Sequence, residues 1–207
     1  AVNTGSAVVS VRSDKQPTMV DNRAKLLPAI VDPNSFIWTV PTDAPQTIRI
    51  TGRAGTSRSI SVPWTAAPEI SFLSLSPGGS RLLAGVTTPR GQEICAASIS
   101  RGDDLWPRSI GPCLAVLPPA GKLVSGAWVD SARVAVLAAS SSAVLRVSTL
   151  GGMFVDVTPP VGAVTVSGGG ESMTVRVLTN YGELFEQSSS TRWSMVQSKV
   201  SVLGSSH

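Results

Sequence analysis

One compound unit recurs along the chain and constrains its fold more than any single residue does: an apolar strand, a tight turn, a second apolar strand, then a further strand segment. The first copy runs Ala29-Ile30-Val31, turns at Asp32-Pro33-Asn34-Ser35 and continues through Phe36 to Val40, with Thr47 to Ile50 next. The second reads Phe72 to Leu75, Ser76-Pro77-Gly78-Gly79-Ser80, Arg81 to Val86, then Glu93 to Ile99. The third is Ser125 to Val129, Asp130-Ser131-Ala132, Arg133 to Leu137, then Ala143 to Thr149. The fourth is Val164 to Val166, a turn over Ser167 to Ser172, Met173 to Leu178, then Gly182 to Phe185. Equivalent turn positions at Pro33, Pro77, Asp130 and Gly169 are 44, 53 and 39 residues apart, which fits the roughly 40 to 50 residues of a propeller blade.

The turns have a mechanism. Proline presets φ near −65° and glycine supplies positive φ, so Ser-Pro-Gly-Gly closes a compact connection between antiparallel strands. A blade is buried on both faces by its neighbours, so its inner strands read as nearly continuous apolar runs, as Val134 to Ala139 does. The alanine-rich stretch Ala132 to Ala139 is also the best helix candidate, but Val134, Val136 and Leu137 prefer strands and Ser140-Ser141-Ser142 supplies a turn. Gly (19 residues) and Pro (15) are spread over the whole chain, which argues against long helices.

The expected fold is therefore all-β: a β-propeller of antiparallel blades, in an incomplete or truncated ring of about four to five blades. The single domain spans 1–207, with a partial repeat over 1–20 that contains a strand at Val8 to Arg12, then repeats over 26–65, 69–118, 123–158 and 160–200. A β-sandwich is the alternative, since it also alternates short strands and turns, but it does not require one compound unit to recur. A cut ring would leave unpaired backbone, so missing upstream sequence, a second polypeptide fragment or a covering neighbour is expected.

Composition removes several function classes. Hydrophobic residues make up 42% and charged residues 14%, so a real core is expected and disorder is not. No run approaches the length of a transmembrane helix, and Ala1 to Ser10 lack the regions of a signal peptide, so any export signal or lipid attachment is expected upstream. The formal charge is +4, but the basic residues Arg49, Arg53, Arg58, Arg81, Arg90, Arg101 and Arg108 stand singly. That favours a solvated surface, with mild attraction to anionic headgroups, over nucleic-acid binding.

Catalytic constellations are hard to assemble. The single histidine is the terminal His207, so no Ser–His–Asp or Cys–His arrangement and no multi-histidine zinc site is expected. Gly121-Lys122 lacks the upstream glycine of a phosphate loop, Val116 standing there, and Leu123 follows in place of serine or threonine. Gly168-Gly169-Gly170 reads as a hairpin turn. Paired carboxylates on a propeller remain the one enzymatic option. Against it, Asp103-Asp104 after Arg101-Gly102 reads as a solvated loop, and Asp32, Asp130 and Asp156 sit in or beside turns, where carboxylates cap amides. No catalytic, cofactor-binding or metal-binding residue is predicted. Cys95 and Cys113 are a candidate disulfide, two buried thiols being the other reading. Trp38 and Trp128 lie within the repeat and are expected in the core, whereas Trp64 and Trp106 lie in connections and are candidate partner contacts.

Several of these segments resemble successive blade motifs of the LpqB family of actinobacterial lipoproteins. They are Leu26-Leu27-Pro28 through Phe36-Ile37-Trp38-Thr39-Val40, Ser61-Val62-Pro63-Trp64, Leu75 to Arg81, Gly126-Ala127-Trp128-Val129-Asp130 and Tyr181-Gly182-Glu183-Leu184. The likeness runs in order from Leu26 to Trp193, with one departure at Gly78, where the usual turn has aspartate. The resemblance implies a lipoprotein anchored to the outer face of the cell membrane through a lipid outside this chain, with another domain before the propeller. It also implies association with the extracytoplasmic sensor region of the histidine kinase MtrB, and modulation of MtrA–MtrB two-component signalling. Neither nucleic acid nor a small-molecule substrate is expected. A carbohydrate-active enzyme and a passive cell-envelope scaffold are the competing readings.

Overall fold

A computed structural model describes residues 2–3, 8–12, 15–21, 30–64, 69–89, 91–116, 118–139, 142–168, 174–189 and 191–200. The described strands form five antiparallel sheets, each a simple meander. The first has three strands, β1 (Val2–Asn3), β2 (Val8–Arg12) and β3 (Lys15–Asp21). Four blades follow. Blade 1 is β4 (Ile30–Val31), β5 (Ile37–Thr39), β6 (Thr47–Thr51) and β7 (Ser57–Ser61). Blade 2 is β8 (Glu69–Leu75), β9 (Arg81–Thr88) and β10 (Gly91–Arg101), with its outer position shared by β11 (Pro107–Ile110) and β12 (Leu114–Val116). Blade 3 is β13 (Lys122–Trp128), β14 (Arg133–Ala139), β15 (Val144–Thr149) and β16 (Phe154–Val157). Blade 4 is β17 (Ala163–Ser167), β18 (Arg176–Thr179), β19 (Leu184–Ser189) and β20 (Arg192–Gln197). No helix occurs among the described residues, and Ala132 to Ala139 lies mostly in β14.

The first strands pack side by side, β4 against β8, β8 against β13 and β13 against β17, which places them innermost. With strands lettered A to D outward, the A–B and C–D turns share one end of the propeller and the B–C and D–A connections share the other. Strand periodicity then fills the seams. In β9, Leu82 and Ala84 join the cluster shared with blade 1, which includes Trp38, Ile48 and Ile50, while Leu83 joins the cluster shared with blade 3, which includes Trp128, Val134 and Val136. Blades 3 and 4 meet through Ala127, Val129, Ala135, Leu137, Val166 and Val177. Trp38 and Trp128 are both core residues, at 0% and 1% exposure.

Each A strand of blades 2 to 4 carries one extra residue. Ile70 pairs with Val86 but Phe72 with Gly85, leaving Ser71 out of register, and Val124 and Val164 are skipped in the same way. Such bulges bend a strand, and here they occur at matching places along the inner strands. Phe72 then lies between Gly85 and Gly126, where a Cβ on either glycine would collide with its ring.

The repeat expected from sequence is present, but its outer strands were not anticipated. β7 and β11 carry few large apolar residues, and β12, β16 and β20 are mostly exposed despite Leu114, Phe154 and Val155; β7 alternates exposed and half-buried residues along its whole length. The turn expected at Gly168 to Gly170 falls mostly outside the described residues. Gly168 itself packs against the backbone of Trp128 and Val129, leaving no room for a Cβ.

Candidate interaction surface

The seam between blades 1 and 2 ends, at the A–B and C–D turns, in a cluster of aromatic, charged and apolar side chains. Its base is Asp32. This carboxylate has a side chain with 0% exposure. It accepts from the backbone N–H groups of Asn34 and Phe36 (both 2.9 Å), from Trp38 Nε1 (3.3 Å) and from Arg101 Nη2 (2.7 Å). Arg101 comes from the end of β10 and also donates to the carbonyls of Gly79 (2.9 Å) and Leu105 (2.9 Å). One guanidinium therefore ties together the A–B turns of blades 1 and 2 and the C–D turn of blade 2. Arg101 had been expected in a solvated loop; its side chain is 15% exposed because its partner lies on a different blade.

The C–D turn of blade 2 is closed by Gly102 N–H to the Trp106 carbonyl (3.0 Å) and Leu105 N–H to the Gly102 carbonyl (2.9 Å). The same pair of bonds closes the turns from Asp32 to Phe36, Gly52 to Thr56 and Thr179 to Glu183. In these four turns the fourth residue takes positive φ: 65° at Ser35, 81° at Gly55, 76° at Gly182 and 61° at Leu105. Glycine adopts that region freely, whereas a leucine there is strained by roughly 1–2 kcal/mol. Leu105 is nonetheless 54% exposed. It buries little in return for the strain.

Beside it, Trp106 stacks obliquely on Phe36, ring centroids 4.6 Å apart, and carries the Arg58 guanidinium 4.4 Å above its own ring. Gly52 is needed for this approach, since a Cβ there would stand 2.8 Å from the indole. Asp104 pairs with Arg108 (2.9 Å) and, more loosely, with Arg58 (3.7 Å), and accepts from Trp106 N–H (3.2 Å). Arg53 donates to Ser35 Oγ across the turn tips.

Of the two candidate tryptophans, Trp106 is partly buried in the cluster, with its rim at the surface. Trp64 is corrected: it is 3% exposed and its indole N–H donates to the Gly111 carbonyl (2.9 Å), so it is a seam residue with no face left for a partner. What covers it is the break between β11 and β12, where Gly111, Pro112 and Cys113 interrupt the outer strand. Cys113 is bonded to Cys95 at that break, with an S–S distance of 2.03 Å.

Of the carboxylates singled out in the sequence, Asp32, Asp104, Asp130 and Asp156 are each paired with an arginine. Asp103 and Asp104 sit in the turn just described. Asp130 caps the amides of Ala132 and Arg133 and pairs with Arg133 at 2.6 Å. Partial burial pushes its pKa up, but the two amides and the guanidinium outweigh burial and hold it below the usual carboxylate range. Asp156, expected as a turn cap, lies instead in β16 and forms a two-pronged pair with Arg146 (2.6 and 2.7 Å). That hydrogen bonding holds the Asp156 pKa below its usual range, against a smaller effect of burial. No group of three His, Cys, Asp or Glu suited to a metal ion occurs among the described residues.

Four meander blades with the turns of neighbouring blades locked together define a β-propeller, here bearing an aromatic and arginine cluster on one end of a seam. The chain belongs to the lipoprotein LpqB β-propeller domain family, whose profile matches residues 1–202. No curated protein matches it in sequence. Among solved structures it is similar to the RRP9 WD40 repeats (TM-score 0.58, 9% identity, covering 93% of this chain and 54% of that one). It is also similar to the β-propeller domain of Cps50 (Swd1) from Myceliophteria thermophila (TM-score 0.54, 14% identity, 84% and 63%) and to a chain of a nidogen/laminin complex (TM-score 0.54, 10% identity, 84% and 64%). These likenesses concern the fold alone. The chain spans less than two thirds of each of those structures.

Proposed function

We propose that the chain is a non-catalytic binding module of an extracytoplasmic lipoprotein, and that it engages and modulates the sensor domain of a two-component histidine kinase of the MtrA–MtrB type. The observation that carries the binding role is Leu105: a large apolar side chain held exposed, at a cost in backbone strain, beside Trp106 and Arg58. Strained residues persist where the surroundings over-determine them, and they cluster at ligand clamps and switches. Aromatic, arginine and neighbouring apolar side chains at a rigid rim are what a protein–protein anchor is made from. The choice of kinase rests on the resemblance described above, and membership of the LpqB β-propeller family supports it.

The test is titration of the purified extracytoplasmic sensor domain with this chain, followed by calorimetry. Saturable binding that weakens at least tenfold on Trp106→Ala, by the usual scale of an interface anchor, is the expected result. Absence of saturable binding rejects the assignment, and binding unaffected by Trp106→Ala rejects the surface.

A further inference from the structure

Among the described residues of the four blades, the two ends of the propeller differ in charge. Arg53, Arg58, Arg81, Arg108, Arg133 and Arg192 all stand in an A–B or C–D turn or within two residues of one. Asp43, Glu69, Glu93 and Glu183 stand at the opposite end, accompanied by Lys122 and Lys199. Among the described residues of the four blades, the basic end thus carries arginine and no lysine.

Neighbours also hold these arginines in direction. Arg58 lies on Trp106, Arg108 on Asp104, Arg133 on Asp130, and Arg81 donates to the Ser131 carbonyl of the next blade (3.0 Å). Arg108 and Arg133 already carry a carboxylate of this chain, whereas a guanidinium held by a ring or a carbonyl, as in Arg58 and Arg81, is pre-organised for the paired oxygens of a carboxylate and loses little freedom on binding one. Asp103, Asp104 and Asp130 are interleaved with the arginines on the same end. A uniformly anionic bilayer would be repelled at those three positions, whereas a protein surface can place its own groups around them.

We infer that the arginine-bearing end is the docking face, and that the partner meets it with a surface rich in aspartate and glutamate; this rests on the binding role proposed above. The experiment compares the chain, the double variant Arg53→Glu/Arg81→Glu and a control at the far end, Lys122→Glu. Each is titrated against the purified sensor domain at about 0.1 M and about 1 M salt, between which the Debye length shrinks from roughly 10 Å to roughly 3 Å. Unfolding midpoints establish that the three are equally folded. The expected result is affinity that falls about tenfold or more with salt, falls at least tenfold in the double variant and stays within about twofold in the control. Failure of the unaltered chain to bind removes the binding role itself, and the inference with it. Binding that is indifferent to salt and to the double variant, or lost only in Lys122→Glu, leaves the role standing and overturns the docking face. Vesicles of equal parts phosphatidylglycerol and phosphatidylcholine form the last arm: vesicle binding that the double variant abolishes, with sensor binding unchanged, makes the face a membrane contact and overturns the inference.

Discussion

The seam between blades 1 and 2 and the seam between blades 3 and 4 solve the same packing problem with different materials. The first is filled by large side chains, Phe36, Trp38, Trp64 and Trp106, and is pinned at its end by Asp32 and Arg101. The second is filled by alanine, valine and leucine. Hydrogen bonds across it include Val166 N–H to Ser125 Oγ and Trp193 Nε1 to the Thr158 carbonyl. Toward the A–B and C–D turns it opens into a groove of about 420 Å³ lined by Val129, Met153, Val155 and Val175 among others. Small side chains cannot fill the wedge between diverging blades, whereas aromatic rings and one guanidinium can. The lesson is that the bulkiest packing and the buried ion pair are concentrated beside the strained Leu105.

The sharpest way to break this contrast is to remove its pin. Arg101→Met should destabilise the fold by about 3–5 kcal/mol in chemical denaturation, because it leaves the Asp32 carboxylate buried without its cation. Adding Asp32→Asn to that variant should recover part of the loss, and a double variant no better than the single one would show that the ion pair is not what matters. Reduction of Cys95–Cys113, or replacement of both by alanine, should cost about 3 kcal/mol, from the chain entropy of a loop spanning 18 residues. That loss should be read as a lower midpoint under reducing conditions.

The looser seam offers its own lever. Gly168→Ala should cost about 1–3 kcal/mol, since the added methyl meets the backbone of Trp128 and Val129 and the blades must part to admit it. A neutral result would mean that this seam yields more readily than its packing implies. In the opposite direction, Leu105→Gly should stabilise the chain by up to about 1–2 kcal/mol by relieving the positive φ, while weakening partner binding. Gain of stability without loss of binding would take Leu105 out of the surface.

The smallest effect concerns pH. Asp130 and Asp156 have folded pKa values below the usual carboxylate range, so each contributes stability that is present above about pH 4 and lost as pH falls through its folded value. Asp156 is 45% exposed and solvent screens its pair. Asp156→Asn should therefore flatten the acid limb of a thermal-midpoint profile only slightly. A steeper limb in the variant would reverse the sign of the argument.

The A and B strands of the blades were legible because both their faces are buried, which turns residues such as Val134 to Ala138 into an unbroken apolar run. Outer strands escaped because they are short and face water over most of their length: Ser57-Arg58-Ser59-Ile60-Ser61 carries no apolar stripe. The candidate disulfide was open in the sequence, since two cysteines alone do not distinguish a bond from a pair of thiols. Asp32 and Arg101 are 69 residues apart, and nothing local to either announces the other. Trp64 was misplaced because connections usually run over the surface, whereas this one is roofed by the interrupted strand of the next blade. Leu105 had a signal that alignment of turns could have found: Gly52 to Gly55 and Gly102 to Leu105 occupy the same turn, with leucine where its counterpart is glycine.

The most direct test of the account is amide hydrogen exchange on the complex with the sensor domain, compared with the free chain. The account predicts new protection over residues 53–58 and 102–108, with little change at the far end of the propeller. Protection confined to residues 174–175 and 187–189, along the groove between blades 3 and 4, would contradict it.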